Sequence, residues 1–252
     1  MRRLWIGGNW KMHKTIGEAL TLVQSLKDGL PQAEAVEVVI APPFTALPAV
    51  GSALRGTSIQ LAAQNLHWAD QGAYTGEISP GMLKELGCRY VLIGHSERRH
   101  WFKETDSVIN QKMQASLRAG LQPVFCLGET LEEREAGRVE AVLSRQIREG
   151  LQGFSAEQAA SGVIAYEPVW AIGTGKTATP EMAQAVHSFI RGLLADLFDK
   201  RVASEKRIVY GGSVTPETAR ALMAQVDIDG GLVGGASLKA EPFIAIIQES
   251  IK

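Results

Sequence analysis

One carboxylate stands where an apolar run of the sequence ends. Residues 163–166 form a short apolar run that is typical of a buried strand, and Glu167 follows it directly. Pro168 restricts Glu167 to extended backbone conformations, so the acid is expected to leave the strand at a stiff exit. Gly173 and Gly175 supply backbone whose N–H groups can approach a ligand closely. This order of residues predicts a general base beneath a loop that covers a ligand.

Two other interpretations of the same stretch are open. A glutamate at the end of a strand is commonly a solvated surface residue. The string from Gly173 to Thr177 also ends like a nucleotide-binding P-loop, which requires G-x-x-x-x-G-K-[ST]. Trp170 occupies the place of the first glycine, and Thr179-Pro180 starts the next helix later than a P-loop would. The spacing therefore disfavours nucleotide binding.

A repeating unit along the chain predicts the elements that position these residues. Apolar runs recur at residues 4–8, 36–41, 59–63, 90–93, 123–127, 163–166, 207–210 and 231–233. Between them lie amphipathic stretches with helix-start signals at Thr15, Ser79, Thr130, Ser155, Thr179 and Thr215. Wholly apolar strands that alternate with helices indicate a parallel sheet covered on its faces. About eight such units predict an α/β fold, a single-domain (βα)8 barrel over residues 1–252. An open, doubly wound sheet is the alternative.

A barrel would bring distant residues to one rim, because chemistry in this architecture follows the strand ends. The residues expected there are Asn9, Lys11, His95, Glu167, residues 211–213, Gly234 and Gly235. Taken singly, Lys11 could be a solvated surface lysine and His95 could be a structural residue at a strand end. The glycine pairs could be ordinary turns. Together they supply a carboxylate base, hydrogen-bond donors and a backbone cradle for phosphate. This set suits proton abstraction next to a carbonyl in a small sugar phosphate, without a metal or a redox cofactor.

Composition gives no indication of several classes of partner, and a soluble cytoplasmic protein is the expectation. The formal net charge of −1 gives no reason to expect nucleic acid or an anionic membrane surface. The apolar stretch near the N-terminus breaks at Gly7-Gly8-Asn9, which is too short for a signal-peptide core, and no run is long enough to span a bilayer. Cys88 and Cys126 alone cannot form a disulfide framework or a cysteine-rich metal site.

Five segments resemble the triosephosphate isomerase family, and the likeness extends along almost the whole chain. They are residues 9–12, 93–99, 166–176, 210–214 and 232–238. The resemblance implies a TIM barrel that interconverts dihydroxyacetone phosphate and D-glyceraldehyde 3-phosphate without a cofactor. It also implies a homodimer, because residues 64–77, with Thr75 among them, are similar to the loop that inserts into a partner subunit in this family. A binding-only barrel and an ATP-hydrolysing protein are the competing hypotheses.

The resemblance also implies a role for each residue of the site. Glu167 would move the carbon-bound proton, His95 would polarise the carbonyl, and Lys11 would hold the negative intermediate. The substrate-binding residues would be Asn9, Lys11, Gly173, Ser213, Gly234 and Gly235, with Glu97 and Cys126 in support. The loop that closes over the substrate, called the lid below, would comprise Pro168, Val169, Trp170, Ala171, Ile172, Gly173, Thr174, Gly175 and Lys176. Its closure is expected to keep the enediolate from losing phosphate.

Overall fold

Eight parallel strands close into a barrel. A computed structural model of the chain describes residues 2–30, 34–171 and 178–251. The strands are β1 (Leu4–Asn9), β2 (Val36–Ala41), β3 (Gln60–Ala63), β4 (Tyr90–Ile93), β5 (Gln122–Leu127), β6 (Val163–Tyr166), β7 (Arg207–Tyr210) and β8 (Gly230–Val233). They are joined in sequence order, and β8 pairs with β1, so that the barrel has no free edge. The predicted single-domain (βα)8 barrel is confirmed, and the predicted strand bounds differ by a residue at β1, β3, β5 and β8.

Helices connect the strands, and several connections hold more than one. Those of the described residues are α1 (Ile16–Gly29), α2 (Leu47–Ala53), α3 (Pro80–Glu85), α4 (Ser96–Trp101), α5 (Asp106–Arg118), α6 (Leu131–Glu135), α7 (Val139–Gly150), α8 (Ala156–Ala160), α9 (Pro180–Leu197), α10 (Lys200–Glu205), α11 (Pro216–Met223) and α12 (Ala240–Ser250). Short 3-10 turns occupy Val169–Ala171 and Gly235–Leu238.

The helix starts follow from local hydrogen bonding that the sequence had indicated. Thr15, Thr130 and Ser155 each form a capping box with the residue three positions later. Ser79 and Thr179 accept a hydrogen bond from the first turn, and a proline follows each of them at the first helical position. Such a cap stabilises a helix by about 1 kcal/mol, which fixes where each helix begins and hence the length of each loop before it.

Two layers of apolar side chains hold the barrel in place. The larger layer lies between the strands and the helices and contains residues such as Ile6, Ile40 and Phe243, all of which are fully buried. The smaller fills the barrel interior and consists of Trp5, Val39, Ala41, Ala62, Tyr90, Leu92, Val124, Cys126, Val163, Ala165, Val209 and Leu232. Burial of each large apolar side chain contributes about 1.5–3 kcal/mol, so the interior is a packed core and not a channel.

Charged groups close the end of the barrel at which the strands begin. Arg207 Nη1 lies 2.6 Å from Glu37 Oε2, and Arg207 Nη2 donates to the Tyr90 hydroxyl at 2.9 Å. These partners come from β2, β4 and β7, so the network ties strands that are not neighbours. The opposite end, where the strands finish, is left open for chemistry.

No helix in the described part of the chain is both long and apolar enough to cross a membrane.

Candidate active site

A cavity of about 340 Å³ opens where the strands end. Its lining includes the predicted Asn9, Lys11, His95, Glu167, Ser213, Gly234 and Gly235. These residues come from the ends of β1, β4, β6, β7 and β8, and Asn9 is the last residue of β1 itself. The structure therefore brings together every described residue that was predicted to act on or bind the substrate. Gly173 lies outside the described residues.

Glu167 leaves β6 with its backbone held on both sides. Its N–H donates to Leu127 O at 2.7 Å, and the side chain is only 2% exposed. A Cβ added at Gly128 would lie 1.8 Å from Glu167 O, and one at Gly211 would lie 2.8 Å from Glu167 Cγ. Only glycine permits such close approach. Residues 128 and 211 therefore form the two sides of a narrow slot around Glu167, and this slot fixes the position of its carboxylate.

The two oxygens of the Glu167 carboxylate have different surroundings. Ser96 N–H, at the start of α4, donates to Oε2 at 2.9 Å. His95 Nε2 lies 3.2 Å from Oε1 but lacks hydrogen-bond alignment, so Oε1 has no hydrogen-bond partner among the described residues. A buried oxygen in a cavity wall, on a carboxylate whose other oxygen is fixed, is suited to accept a proton from a ligand.

The orientation of His95 follows from its place before α4. The backbone N–H of Glu97 donates to His95 Nδ1 at 3.3 Å. Because Nδ1 accepts this bond, a neutral imidazole carries its proton on Nε2, the nitrogen nearer Glu167. The side chain is 7% exposed, which keeps the ring in one position. His95 can therefore donate one hydrogen bond into the cavity without bearing a charge.

Lys11 is held in an unusual backbone conformation. Its φ is 51°, in the left-handed region that non-glycine residues seldom adopt. Two contacts hold it there: Lys11 N–H donates to Asn9 Oδ1 at 3.0 Å, and Gln64 Nε2 donates to Lys11 O at 2.8 Å. Such strain is characteristic of functional positions, and here it directs the lysine toward the cavity.

The ammonium of Lys11 is paired with the predicted supporting residue Glu97. Lys11 Nζ lies 2.6 Å from Glu97 Oε1. Burial opposes ionisation of this carboxyl, but the hydrogen bond from Lys11 and the charge of its ammonium hold the pKa of Glu97 below its usual value. The pair is therefore ionised, and Glu97 fixes the position of the cation at the cavity wall.

Bare backbone lines the side of the cavity formed by β7 and β8. A Cβ added at Gly235 would meet no atom within 4 Å, and one at Gly234 would meet only Lys11 Cε, at 3.7 Å. Packing therefore does not require glycine at these two positions. The absence of side chains instead leaves N–H groups accessible beside Ser213, an arrangement that suits a phosphate group.

The first part of the predicted lid rests on Glu129. Trp170 Nε1 donates to Glu129 Oε1 at 2.8 Å, and Val169 N–H donates to Glu129 O at 3.1 Å. The Arg134 guanidinium lies 4.8 Å from the centre of the Trp170 ring. The lid residues Ile172, Gly173, Thr174, Gly175 and Lys176 lie outside the described residues.

Sequence reasoning missed three residues that contact the predicted site. Glu129 is fully buried and also accepts from Arg134 and the Tyr166 hydroxyl. Arg99 donates to Gly94 O at 2.7 Å and to Cys126 O at 3.1 Å. Gln146 donates to Gly128 O and accepts from Gly128 N–H. Of these three residues, only Glu129 could have been predicted from the sequence as part of the site, because it follows the end of β5 closely, as His95 and Glu167 follow the ends of their strands.

Cys126, predicted to support the site, lies in the barrel interior. It is fully buried, and its thiol lies 3.7 Å from Val124 O. Burial, with the nearby charge of Glu167, raises the pKa of the Cys126 thiol well above its ordinary value. The residue is thus an uncharged packing group close to the carboxylate.

The loop over residues 64–77 has an anchored base and an exposed tip. Gln64 bonds to Lys11 O, and Asn65 Oδ1 accepts from Lys112 Nζ at 2.8 Å. His67 stacks on Trp68 and packs against Tyr74, each with ring centres 4.1 Å apart. Residues 70–77, Thr75 included, are exposed.

No group of three or more His, Cys, Asp or Glu residues within the described ranges could hold a metal ion.

Comparison with known proteins accords with this arrangement. The family model for triosephosphate isomerase matches residues 4–250. The triosephosphate isomerase of Carboxydothermus hydrogenoformans is 56% identical over 251 residues, which is 100% of both chains. That of Geotalea uraniireducens is 56% identical over 250 residues, covering 99% of this chain and 100% of the relative. That of Moorella thermoacetica is also 56% identical, over 98% of this chain and 99% of the relative. The chain therefore belongs to the triosephosphate isomerase family.

Proposed function

We propose that the chain interconverts dihydroxyacetone phosphate and D-glyceraldehyde 3-phosphate by proton transfer, with Glu167 as the base and no cofactor. The observation that carries this assignment is the pair of unlike oxygens on Glu167. One accepts from Ser96 N–H, and the other is buried, has no hydrogen-bond partner among the described residues and lies 3.2 Å from His95 Nε2. A base and a hydrogen-bond donor so close together can act on adjacent atoms of a single small substrate.

The reaction follows from these positions. Glu167 takes a proton from carbon 1 of dihydroxyacetone phosphate, and the electrons of that C–H bond form the C1–C2 double bond of an enediolate. His95 Nε2–H donates to the carbonyl oxygen as it gains charge, and the Lys11 ammonium lowers the energy of the resulting anion. Glu167 then returns the proton to carbon 2. His95 carries the hydroxyl proton from one oxygen to the other, which leaves the aldehyde.

The proposal assigns the phosphate to the β7 and β8 side of the cavity. Ser213 and the N–H groups of Gly234 and Gly235 would donate to its oxygens, with Gly173 contributing from the lid. Lys11, whose Cε would lie 3.7 Å from a Cβ added at Gly234, would offset its negative charge, and Asn9 would fix the Lys11 backbone. This arrangement leaves the carbon atoms of the substrate facing Glu167 and His95.

Turnover distinguishes the proposed enzyme from a barrel that only binds sugar phosphates. We expect purified protein to convert D-glyceraldehyde 3-phosphate in a dehydrogenase-coupled assay, with kcat/KM within the enzymatic range of about 10⁴–10⁸ M⁻¹s⁻¹. Treatment with a chelator should leave the rate unchanged. Tight binding of the substrate without turnover would favour the binding-only barrel, and hydrolysis of ATP would favour the ATP-hydrolysing protein.

Assembly into a homodimer through residues 64–77 is part of the proposal. Exposed apolar side chains surround this loop, among them Met12 (95% exposed), Tyr74 (46%), Met82 (54%), Trp101 (72%) and Phe102 (66%). Contacts connect them to the loop: Tyr74 and Met82 line one small cavity, and Gln64 is bonded to Lys11 next to Met12. Asn65 is joined through Lys112 and Glu104 to Arg98, which lies 4.7 Å from the centre of the Phe102 ring. Monomeric proteins rarely expose so many large apolar groups together, which supports a partner subunit there.

Replacing Thr75 by arginine is expected to weaken the dimer, because it places a charge in the predicted interface. Sedimentation at micromolar concentration should show a dimer for the parent and a larger monomer fraction for Thr75→Arg. The matched control is Thr21→Arg, on the exposed face of α1, which should leave the dimer intact. A parent that sediments as a fully active monomer would contradict this prediction.

A further inference from the structure

We infer that Gln146, a residue of α7 that does not line the cavity, is a positioning residue for both the base and the lid. This inference rests on the proposed function of Glu167. Gln146 is 4% exposed, and its side-chain amide pairs with both the backbone N–H and the backbone C=O of one residue, Gly128. Gly128 N–H donates to Gln146 Oε1 at 2.9 Å, and Gln146 Nε2 donates to Gly128 O at 3.1 Å. Just beyond the end of β5, the Gln146 side chain thus makes the two backbone hydrogen bonds that a neighbouring strand would otherwise make to Gly128.

Residues 127–129 hydrogen-bond to the backbone of both Glu167 and the start of the lid. Gln146 holds the middle one of these three residues, Gly128. Leu127 O accepts the Glu167 N–H at 2.7 Å, and Glu129 O accepts the Val169 N–H at 3.1 Å. Between these bonds, Gly128 packs so closely on the Glu167 backbone that a Cβ would lie 1.8 Å from its carbonyl oxygen. A shift of Gly128 toward α7 would therefore move Glu167 and the start of the lid together.

The side chain of Glu129 extends this dependence to Trp170. Glu129 Oε1 accepts from the Trp170 indole N–H at 2.8 Å and from Arg134 at 2.8 Å. Because Glu129 is the next residue after Gly128, the position of its carboxylate depends on the same amide of Gln146. The side chain of Gln146 thereby positions both Gly128, which packs against Glu167, and Glu129, which contacts the start of the lid.

The phosphate donors that follow β7 and β8 have no hydrogen bond to residues 127–129 in the described part of the chain. These donors are Ser213, Gly234 and Gly235. Loss of the Gln146 amide should therefore disturb proton transfer more than phosphate binding. A merely structural role would instead lower stability and leave the turnover of folded protein unchanged.

The first test replaces Gln146 by methionine, which is of similar length but has no amide. We expect kcat to fall by at least about 10-fold and up to about 10²-fold, since misplacement of a catalytic group by about 1 Å has effects of this size. KM and the dissociation constant for inorganic phosphate should change less than kcat does, because the donors that follow β7 and β8 are unchanged and only the proposed lid donor, Gly173, is affected.

A matched control separates positioning from stability. Gln184 on α9 also makes two hydrogen bonds to one residue, donating to Asp227 Oδ2 at 2.6 Å and accepting from Asp227 N–H at 3.0 Å. Asp227 lies before β8, at the opposite end of the barrel from the cavity. Gln184→Met should therefore lower the unfolding midpoint as Gln146→Met does, and leave kcat unchanged.

Gln146→Glu allows the amide to be tested by changing the pH of a single variant, so the test does not depend on how well the methionine variant folds. An ionised carboxylate repels Gly128 O, whereas a protonated one can donate to it as the amide does. The charged groups that face this position are Arg99, Glu104, Asp106, Glu133, Arg145 and Glu149, with His100 nearby. We expect the ratio of variant to parent kcat to rise several-fold as the pH falls from about 8.5 to about 6, because burial favours the protonated carboxyl.

Two results would overturn the inference while the parent enzyme stays active. One is a kcat for Gln146→Met within about twofold of the parent value. The other is an equal loss of kcat in Gln184→Met, which would make the effect one of stability alone. Inactivity of the parent, or full activity of a Glu167 variant, would count against the proposed function instead, so the two failures can be told apart.

Discussion

Replacing Glu167 by glutamine is expected to lower kcat by at least about 10²–10⁴-fold, the contribution typical of a general base. The amide has the size of the carboxylate and can still accept the Ser96 N–H bond, so the slot between Gly128 and Gly211 remains filled. It cannot accept a carbon-bound proton at neutral pH. The measurement is steady-state turnover of D-glyceraldehyde 3-phosphate, together with exchange of substrate protons with solvent.

Phosphate binding and a surface variant serve as controls for this prediction. The dissociation constant for inorganic phosphate should be retained, because Ser213, Gly234 and Gly235 make no use of the Glu167 charge. Glu181→Gln, in the first turn of α9, removes an exposed carboxylate that does not line the cavity and should leave kcat unchanged. A Glu167→Gln variant with near-normal kcat would end the assignment of this residue as the base.

The barrel and most of its rim could be predicted from sequence because both depend on local patterns. Eight apolar runs that alternate with amphipathic stretches, several of them with capping residues at their starts, allow few other architectures, and the parallel barrel then fixes which strand ends meet. Asn9, His95 and Glu167 lie in or directly beyond strands, so their meeting follows from connectivity alone. The helix starts at Thr15 and Thr130 were readable for the same reason, since a capping box spans only four residues.

The supporting residues could not be predicted in this way because their partners are distant in sequence. Gln146 contacts Gly128, which is 18 positions away, through an amide in the middle of a helix. Arg99 reaches Cys126 O across 27 positions, and nothing in its neighbourhood marks it off from Arg98. The strained backbone of Lys11 was also unreadable, since a left-handed lysine is forced only by the surrounding bonds from Asn9 and Gln64.

Replacing Lys11 by methionine is expected to lower kcat/KM by about 10²–10³-fold, the loss found when one group that stabilises an oxyanion is removed. Methionine keeps most of the length of the side chain and removes the charge, which lies 26% exposed beside the cavity. Both the phosphate and the enediolate are anionic, so the loss should appear in KM as well as in kcat. The dependence of kcat/KM on ionic strength should weaken too, because a fixed cation at the cavity wall attracts the substrate.

The fold should survive this change, which makes Lys11→Met a test of chemistry. Glu97 loses its cation but is 43% exposed, so water can solvate its carboxylate, and the cost in stability should be within about 1 kcal/mol. The left-handed backbone at residue 11 is held by Asn9 Oδ1 and Gln64 Nε2, neither of which uses the ammonium. Lys84→Met is the matched control, because Lys84 lies on the exposed surface and its Nζ donates to a backbone oxygen, Gly120 O, at 3.1 Å. If Lys11→Met keeps kcat/KM within about threefold of the parent while Lys84→Met does the same, the ammonium stabilises neither substrate nor intermediate, and the negative charge must be met by His95 and the backbone donors alone.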